Sequence, residues 1–202
     1  MTEENQSTQE APIAGIGTMV FGKWDATDVT CSDPGLAPYI NLTTIGTPHS
    51  GGRHANSWFG KAKLSVVERF INNLMRSGQF SGKKQHCAKA LESALDVISE
   101  RKEENPLQVF IDAIIESAPC EETTRIKMGA VSAPKAVDSS PSRRLDIALR
   151  NLGIGCASAT AKSKKTLTEG IVSELTKAAS GDVGSYAVGK RDEVERIASS
   201  AR

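Results

Sequence analysis

The chain has 202 residues, of which 39% are hydrophobic and 4% aromatic, and its formal net charge is +1. That length fits one domain of ordinary size plus a tail, with room for a real core. So few aromatics, with Leu, Ile and Ala as filling, argue for helix packing and against a β-sandwich.

The even total hides a division. Residues 1–60 hold two bases against six acids, whereas residues 61–202 hold 23 bases against 18 acids. Within 61–90 seven bases face one acid, Glu68. Local charge, not the total, sets the field that a phosphate feels within a Debye length of ~8 Å. The cysteines Cys31, Cys87, Cys120 and Cys156 form no CxxC pair, and no signal peptide or apolar run near ~20 residues is present. The expectation is a reduced intracellular protein with no membrane partner, in which the Asn41-Leu42-Thr43 sequon is incidental.

In chain order, residues 1–15 are polar and acidic and read as a disordered tail. Residues 16–60 carry many Gly, Pro, Thr and His but little periodicity. They suit an extended segment leaning on a partner through Phe21, Trp24, Tyr39, Trp58 and Phe59. From 65 onward the period is helical. Ser65-x-x-Glu68 has the form of a capping box, with Val66/Val67, Phe70/Ile71 and Leu74/Met75 following until Gly78. A second helix is expected from about Ser81 to Arg101. Asn105 as N-cap, Pro106 at N1 and Gln108 at N3 start a third, which Pro119 stops.

Between Glu122 and Ser139 the helical period disappears. Thr124-Arg125-Ile126-Lys127-Met128 alternates, Gly129 can turn and Ala136-Val137 is extended, which predicts a hairpin. Pro134 lies inside it and is tolerable only on an unpaired edge or at a bulge. Ser140-Pro141 opens a fourth helix, and Thr166-x-x-Glu169 opens a fifth that ends at Gly181. A last helix should run from roughly Lys190 to Ala201. The predicted architecture is mainly α: six helices and one protruding hairpin.

Catalytic motifs are weak. Gly78-Gln79-Phe80-Ser81-Gly82-Lys83-Lys84 brushes against a phosphate loop, but it has three residues between glycines where four are needed. Lys84 also stands where a hydroxyl should hold magnesium. A Gly-rich turn is the better reading. It leaves Lys83 and Lys84 at a helix N-terminus, against the dipole, an arrangement that makes sense if an anion binds there. His49, His54 and His86 form neither a dyad nor a metal set, so structural or RNA-facing roles are favoured. No cofactor is expected, and no enzyme.

Most charged helical faces are simply solvated, the expected state of Lys89, Arg101 and Lys177. The clusters differ. Lys61, Lys63, Arg69, Arg76, Lys83 and Lys84 lie close in sequence. The hairpin cations Arg125, Lys127 and Lys135 with Arg143-Arg144 make a second group, and Lys162, Lys164 and Lys165 a third. Cations at loops and helix starts, with acids largely kept away, favour phosphate contacts and point to RNA.

These residues carry a resemblance. The chain is similar, from about Phe21-Gly22-Lys23-Trp24 to Arg202, to the universal small-subunit ribosomal protein family S-seven, called S-five in eukaryotic naming. The motifs are His49-Ser50-Gly51-Gly52-Arg53, Val67-Glu68-Arg69, Gly82-Lys83-Lys84 and Glu104-Asn105-Pro106-Leu107-Gln108-Val109. Thr124-Arg125-Ile126, Ala136-Val137-Asp138, Ser140-Pro141 with Arg143-Arg144, and Asp192-Glu193-Val194-Glu195-Arg196 follow in the same order. The N-terminal segment and acidic tail look like the eukaryotic or archaeal branch, the tail favouring a eukaryote.

The resemblance implies a six-helix rRNA-binding domain over 61–202 with its hairpin at about 122–139. It implies binding to the 3′ major domain of small-subunit rRNA, a part in starting assembly of the head, and a hairpin that reaches toward exit-site tRNA and the mRNA exit channel. Arg53, Lys61, Lys63, Arg69, Arg76, Lys83, Lys84, Arg143, Arg144, Lys162, Lys164 and Lys165 are then the expected rRNA contacts. Arg125, Lys127 and Lys135 are expected near the exit site, and segment 21–60 across rRNA or neighbouring ribosomal proteins. The implied location is the cytoplasmic ribosome, with assembly in the nucleolus. Relatives usually carry more arginines at the hairpin tip, where this chain has Met128-Gly129-Ala130-Val131-Ser132-Ala133-Pro134. The competing reading is a helical protein-interaction module, which the even total charge and acidic tail would favour.

Overall fold

A computed structural model describes residues 19–42, 48–129 and 131–202; the expected tail over 1–15 lies outside them. Among the described residues are six α-helices and one two-stranded antiparallel sheet. The helices are α1 (Val66–Leu74), α2 (Lys84–Lys102), α3 (Pro106–Glu116), α4 (Pro141–Thr160), α5 (Leu167–Ala179) and α6 (Tyr186–Ser200). Strands β1 (Glu121–Met128) and β2 (Val131–Asp138) lie between α3 and α4. None of the helices is long and apolar enough to cross a membrane.

The core is aliphatic, as the composition requires. Helix α5 packs on α2, α3 and α4, while α4 also packs on α1 and α6. Phe70 of α1 meets Phe110 of α3 with ring centroids 5.3 Å apart, and both rings are fully buried. Small residues let the axes close up. A Cβ on Gly153 of α4 would lie 3.1 Å from the Asn73 backbone, and one on Gly170 of α5 would lie 3.0 Å from the Cys156 carbonyl oxygen. Side chains there would push α4 away from α1 and α5, at a cost of about 1–3 kcal/mol.

The caps divide by mechanism. Asn105, Thr166 and Ser185 each accept a backbone N–H from within their own helix's first turn. The capping box expected at Ser65 does not form: Ser65 makes no cap bond and its Oγ is buried without a partner. Glu68 faces elsewhere because it has better-placed donors, Ser50 and Lys84. Helix α2 starts at Lys84, not Ser81, because Phe80–Lys83 forms a tight turn closed by the Lys83 N–H on the Phe80 carbonyl. Helix α6 begins at Tyr186 rather than Lys190. Buried Glu174 of α5 accepts from Ser185 Oγ at 2.8 Å and Ala187 N at 3.1 Å, stabilising a start that local periodicity hides.

Residues 19–42 and 48–64 are irregular, with three short 3₁₀ turns (Ala37–Tyr39, Arg53–Asn56 and Gly60–Lys63). Much of the segment packs on the helical domain itself. Val20, Val29, Leu36, Ile40 and Leu42 are buried in the common core. Phe21, Trp24 and Tyr39 pack against that core half-buried, while Trp58 and Phe59 remain exposed. Helix α3 holds the segment in place. Asn105 Nδ2 donates to the Asp25 carbonyl at 2.8 Å. Gln108 accepts from Thr30 N at 3.0 Å and donates to Thr30 O at 3.1 Å, like a neighbouring strand.

The hairpin pairs Glu121 with Asp138 and Met128 with Val131, one residue earlier than the expected 122–139. Ser139 N donates to Cys120 O at 2.9 Å, which sets the alternation of the ladder and makes Arg125–Pro134 a non-hydrogen-bonded pair. Pro134 therefore turns its missing N–H outward, as the edge argument requires. The base is tied to α6: Cys120 N donates to Glu195 at 2.8 Å, and Arg202 pairs with Glu121. Beyond that base Thr124, Arg125, Ile126 and Lys127 are all exposed, so both faces of the ribbon project into solvent.

Candidate nucleic-acid interface

The expected RNA-contacting cations fall into two classes. Arg69, 6% exposed, donates to Asp146 Oδ1 at 2.7 Å, and Lys61 pairs with Oδ2 of the same carboxylate. Lys84 reaches Glu68 at 2.6 Å, and that carboxylate is only 3% exposed. Arg144 bonds Asp33 at 2.9 Å, clamping the N-terminal segment to the start of α4. Arg143 meets Glu122 of β1 at 2.5 Å, though it keeps most of its surface in solvent. These five charges are committed within the fold.

The second class is free of such partners. Arg53, Lys63, Arg76, Arg125, Lys127, Lys135, Lys162, Lys164 and Lys165 are all exposed and make no ion pair among the described residues. Lys83 is also exposed, and among the described residues its ammonium donates to the Gln79 carbonyl, at 3.1 Å, without an ion pair. On the ribbon, strand alternation puts Arg125 and Lys127 on one face and Lys135, paired with Thr124, on the other. Lys162, Lys164 and Lys165 sit in the α4–α5 loop, where every residue from 161 to 166 is exposed.

The electrostatics explain the first class. Burial alone would push the Glu68 carboxyl up; Lys84 and two hydrogen bonds from Ser50 outweigh it and hold the group below the usual carboxylate range. Asp146 behaves alike: burial raises it, and Lys61 with Arg69 bring it down past its ordinary value. One of the two lysines at the start of α2 thus finds an anion of the protein's own. Glu68 answers the charge of Lys84, and only Lys83 remains for an outside phosphate.

The partner acids Asp33, Glu68, Glu122 and Asp146 went unread in the sequence. Glu68 left a signal, as the single acid among residues 61–90; Asp33, Glu122 and Asp146 gave none, since each meets its cation across a long stretch of chain. The docking role of Gln108 was equally hidden behind its N3 position.

A helical domain carries a two-stranded finger, and cations without an ion pair among the described residues stand exposed on the finger, on one loop and at the turn before α2, an arrangement that could meet a polyanion. Sequence comparison makes this specific. Residues 39–202 match the family model described as Ribosomal protein S7p/S5e. A protein of Archaeoglobus fulgidus named small ribosomal subunit protein uS7 is 46% identical over 184 residues, covering 91% of this chain and 95% of that protein. The protein of the same name from Thermoplasma volcanium is 44% identical over 184 residues and is covered completely. That of Methanococcus aeolicus is 45% identical over 184 residues, 98% of its length. The chain belongs to the S7p/S5e ribosomal protein family.

Proposed function

We propose that this protein is a structural constituent of the small ribosomal subunit that binds the 3′ major domain of its rRNA and helps nucleate head assembly. The observation that carries the reading is the free-standing hairpin with Arg125, Lys127 and Lys135 unpaired, on a fold whose relatives are named small ribosomal subunit proteins. Phosphates need unsatisfied cations, and the ribbon and the 161–166 loop supply them without breaking an internal pair.

In this reading Arg53, Lys63, Arg76, Lys83, Lys162, Lys164 and Lys165 meet rRNA phosphates directly. Arg69, Lys84 and Arg144 hold the surface in shape from beneath, and Lys61 braces Asp146 from the exposed side. Arg143, paired but exposed, can serve Glu122 and a phosphate together. The hairpin extends toward exit-site tRNA and mRNA, and neighbouring ribosomal proteins are further partners. Its place of work is the ribosome of the cytoplasm. The relatives named are archaeal, so a nucleolar assembly step is no part of the proposal.

Co-sedimentation tests the reading. The tagged protein should travel with small subunits on a gradient and leave them in high salt. A protein-interaction module outside the ribosome would stay near the top at every salt concentration, and that result would refute the ribosomal role.

A further inference from the structure

We infer that Trp58 and Phe59 form a stacking platform for unpaired RNA bases, at a site separate from the hairpin. The inference rests on the RNA-binding reading above and adds a second mode of recognition to it. Trp58 is 94% exposed and Phe59 78%, in a chain with only two tryptophans and five phenylalanines. A side chain that could bury 150–250 Å² is held in water instead.

The backbone is arranged to keep them there. Phe59 has φ +54°, a left-handed conformation that costs a bulky residue energy and persists only where its surroundings enforce it. The surroundings do enforce it. Gly60 N donates to the Ser57 carbonyl at 3.2 Å, and Ala62 N to the Phe59 carbonyl at 3.0 Å. Gly60 itself is buried against the His54 carbonyl, where any Cβ would collide. On the far side Asn41 holds the turn, its Nδ2 donating to the Lys63 carbonyl at 2.9 Å. The two rings therefore project from a loop pinned at both ends.

Charge decides what covers them. No acid occurs between Asp33 and Glu68, and both of those carboxylates are occupied, by Arg144 and Lys84. Asp146, the acid on Lys61, is occupied by Arg69 as well. Arg53 and Lys63 stay exposed and line one cavity together with Ser57 and Gly60, the residues flanking the two rings. Exposed aromatics flanked by exposed Arg53 and Lys63, with Asp33, Glu68 and Asp146 each held by a cation, match a single strand whose bases stack while its phosphates meet Arg and Lys. A paired duplex hides its base faces and gains nothing from the rings.

Fluorescence tests this directly. In a Trp24→Phe background Trp58 is the sole tryptophan, and it is titrated with ~10-nucleotide oligouridylate, a length within one typical single-strand site, and with a blunt RNA duplex. Oligouridylate should quench Trp58 and the duplex should not. Trp58→Ala should weaken oligouridylate binding about tenfold, as loss of one stacked base does, with the salt slope and urea midpoint unchanged, and Trp58→Phe should restore most of it. Salt-dependent RNA binding that survives Trp58→Ala at full strength, or equal quenching by duplex, overturns the platform and leaves the ribosomal reading standing. Self-association lost in Trp58→Ala with RNA affinity intact overturns it too, in favour of a protein contact. Failure of the parent protein to bind oligouridylate at any salt would sink the platform alone, whereas failure to bind a 3′ major-domain rRNA fragment would sink the RNA reading with it.

Discussion

Arg69 and Lys127 are both cations in basic neighbourhoods, yet the fold uses them in opposite ways. Arg69 lies beneath the surface with its guanidinium on Asp146, while Lys127 stands on an open ribbon without an ion pair among the described residues. The same contrast separates Lys84 from Lys83, adjacent in sequence, one on buried Glu68 and the other in solvent. A run of bases in a sequence is thus a mixture of two populations. One neutralises buried or partly buried carboxylates of the fold itself, and the other keeps its whole charge for a polyanion.

The contrast can be broken first at Lys84. Lys84→Met leaves the Glu68 carboxylate buried with only Ser50 to support it, and we expect a loss of about 3 kcal/mol at pH 7, read from urea unfolding. The pH dependence gives the sign. In the parent protein the Glu68 carboxyl is held below its ordinary value, so its contribution is present above about pH 4.5 and fades as pH falls through the folded value. Without Lys84 two of the lowering contributions are lost and the group rises from its parent value, so the variant's deficit should shrink as pH falls from 7 through the carboxylate range. A deficit that stays constant across that window would show that Glu68 is not the cause.

Arg69→Ala should cost about 2 kcal/mol, less than a fully buried pair would, since Lys61 remains on Asp146 and that carboxylate is partly solvated. Gln108→Ala should cost about 1 kcal/mol and speed amide exchange around Thr30 while the α4–α5 core stays protected. If exchange rose evenly throughout, the N-terminal segment would be inseparable from the core. The smallest stability effect belongs to the ribbon. Alanine at Arg125, Lys127 and Lys135 together should shift unfolding by less than about 0.5 kcal/mol, since these side chains touch little of the fold.

How much was legible follows the same physics. Helices α3, α4 and α5 announced themselves through Asn105-Pro106, Ser140-Pro141 and Thr166, because a start signal is local and the apolar period after it is regular. The hairpin was legible through Gly129 and the alternation before it. The start of α6 was not, because Glu174 stabilises it from another helix. The core role of Val20, Leu36, Ile40 and Leu42 was missed because irregular backbone carries no period to reveal a buried face. At the interface the cations could be seen, but their division could not. Asp33 meets Arg144, and Asp146 meets Arg69, across distances in sequence that no spacing rule spans.

The most direct test of that division is the salt dependence of binding to a 3′ major-domain rRNA fragment. With alanine at Arg53, Lys63, Arg76, Lys162, Lys164 and Lys165, the slope of log affinity against log salt should become shallower by about 4–5, since each phosphate contact contributes about 0.7–0.9. Stability should barely change. An unchanged slope in that variant, or an equal flattening produced by Lys84→Met alone, would contradict the assignment of phosphate contacts to the unpaired cations.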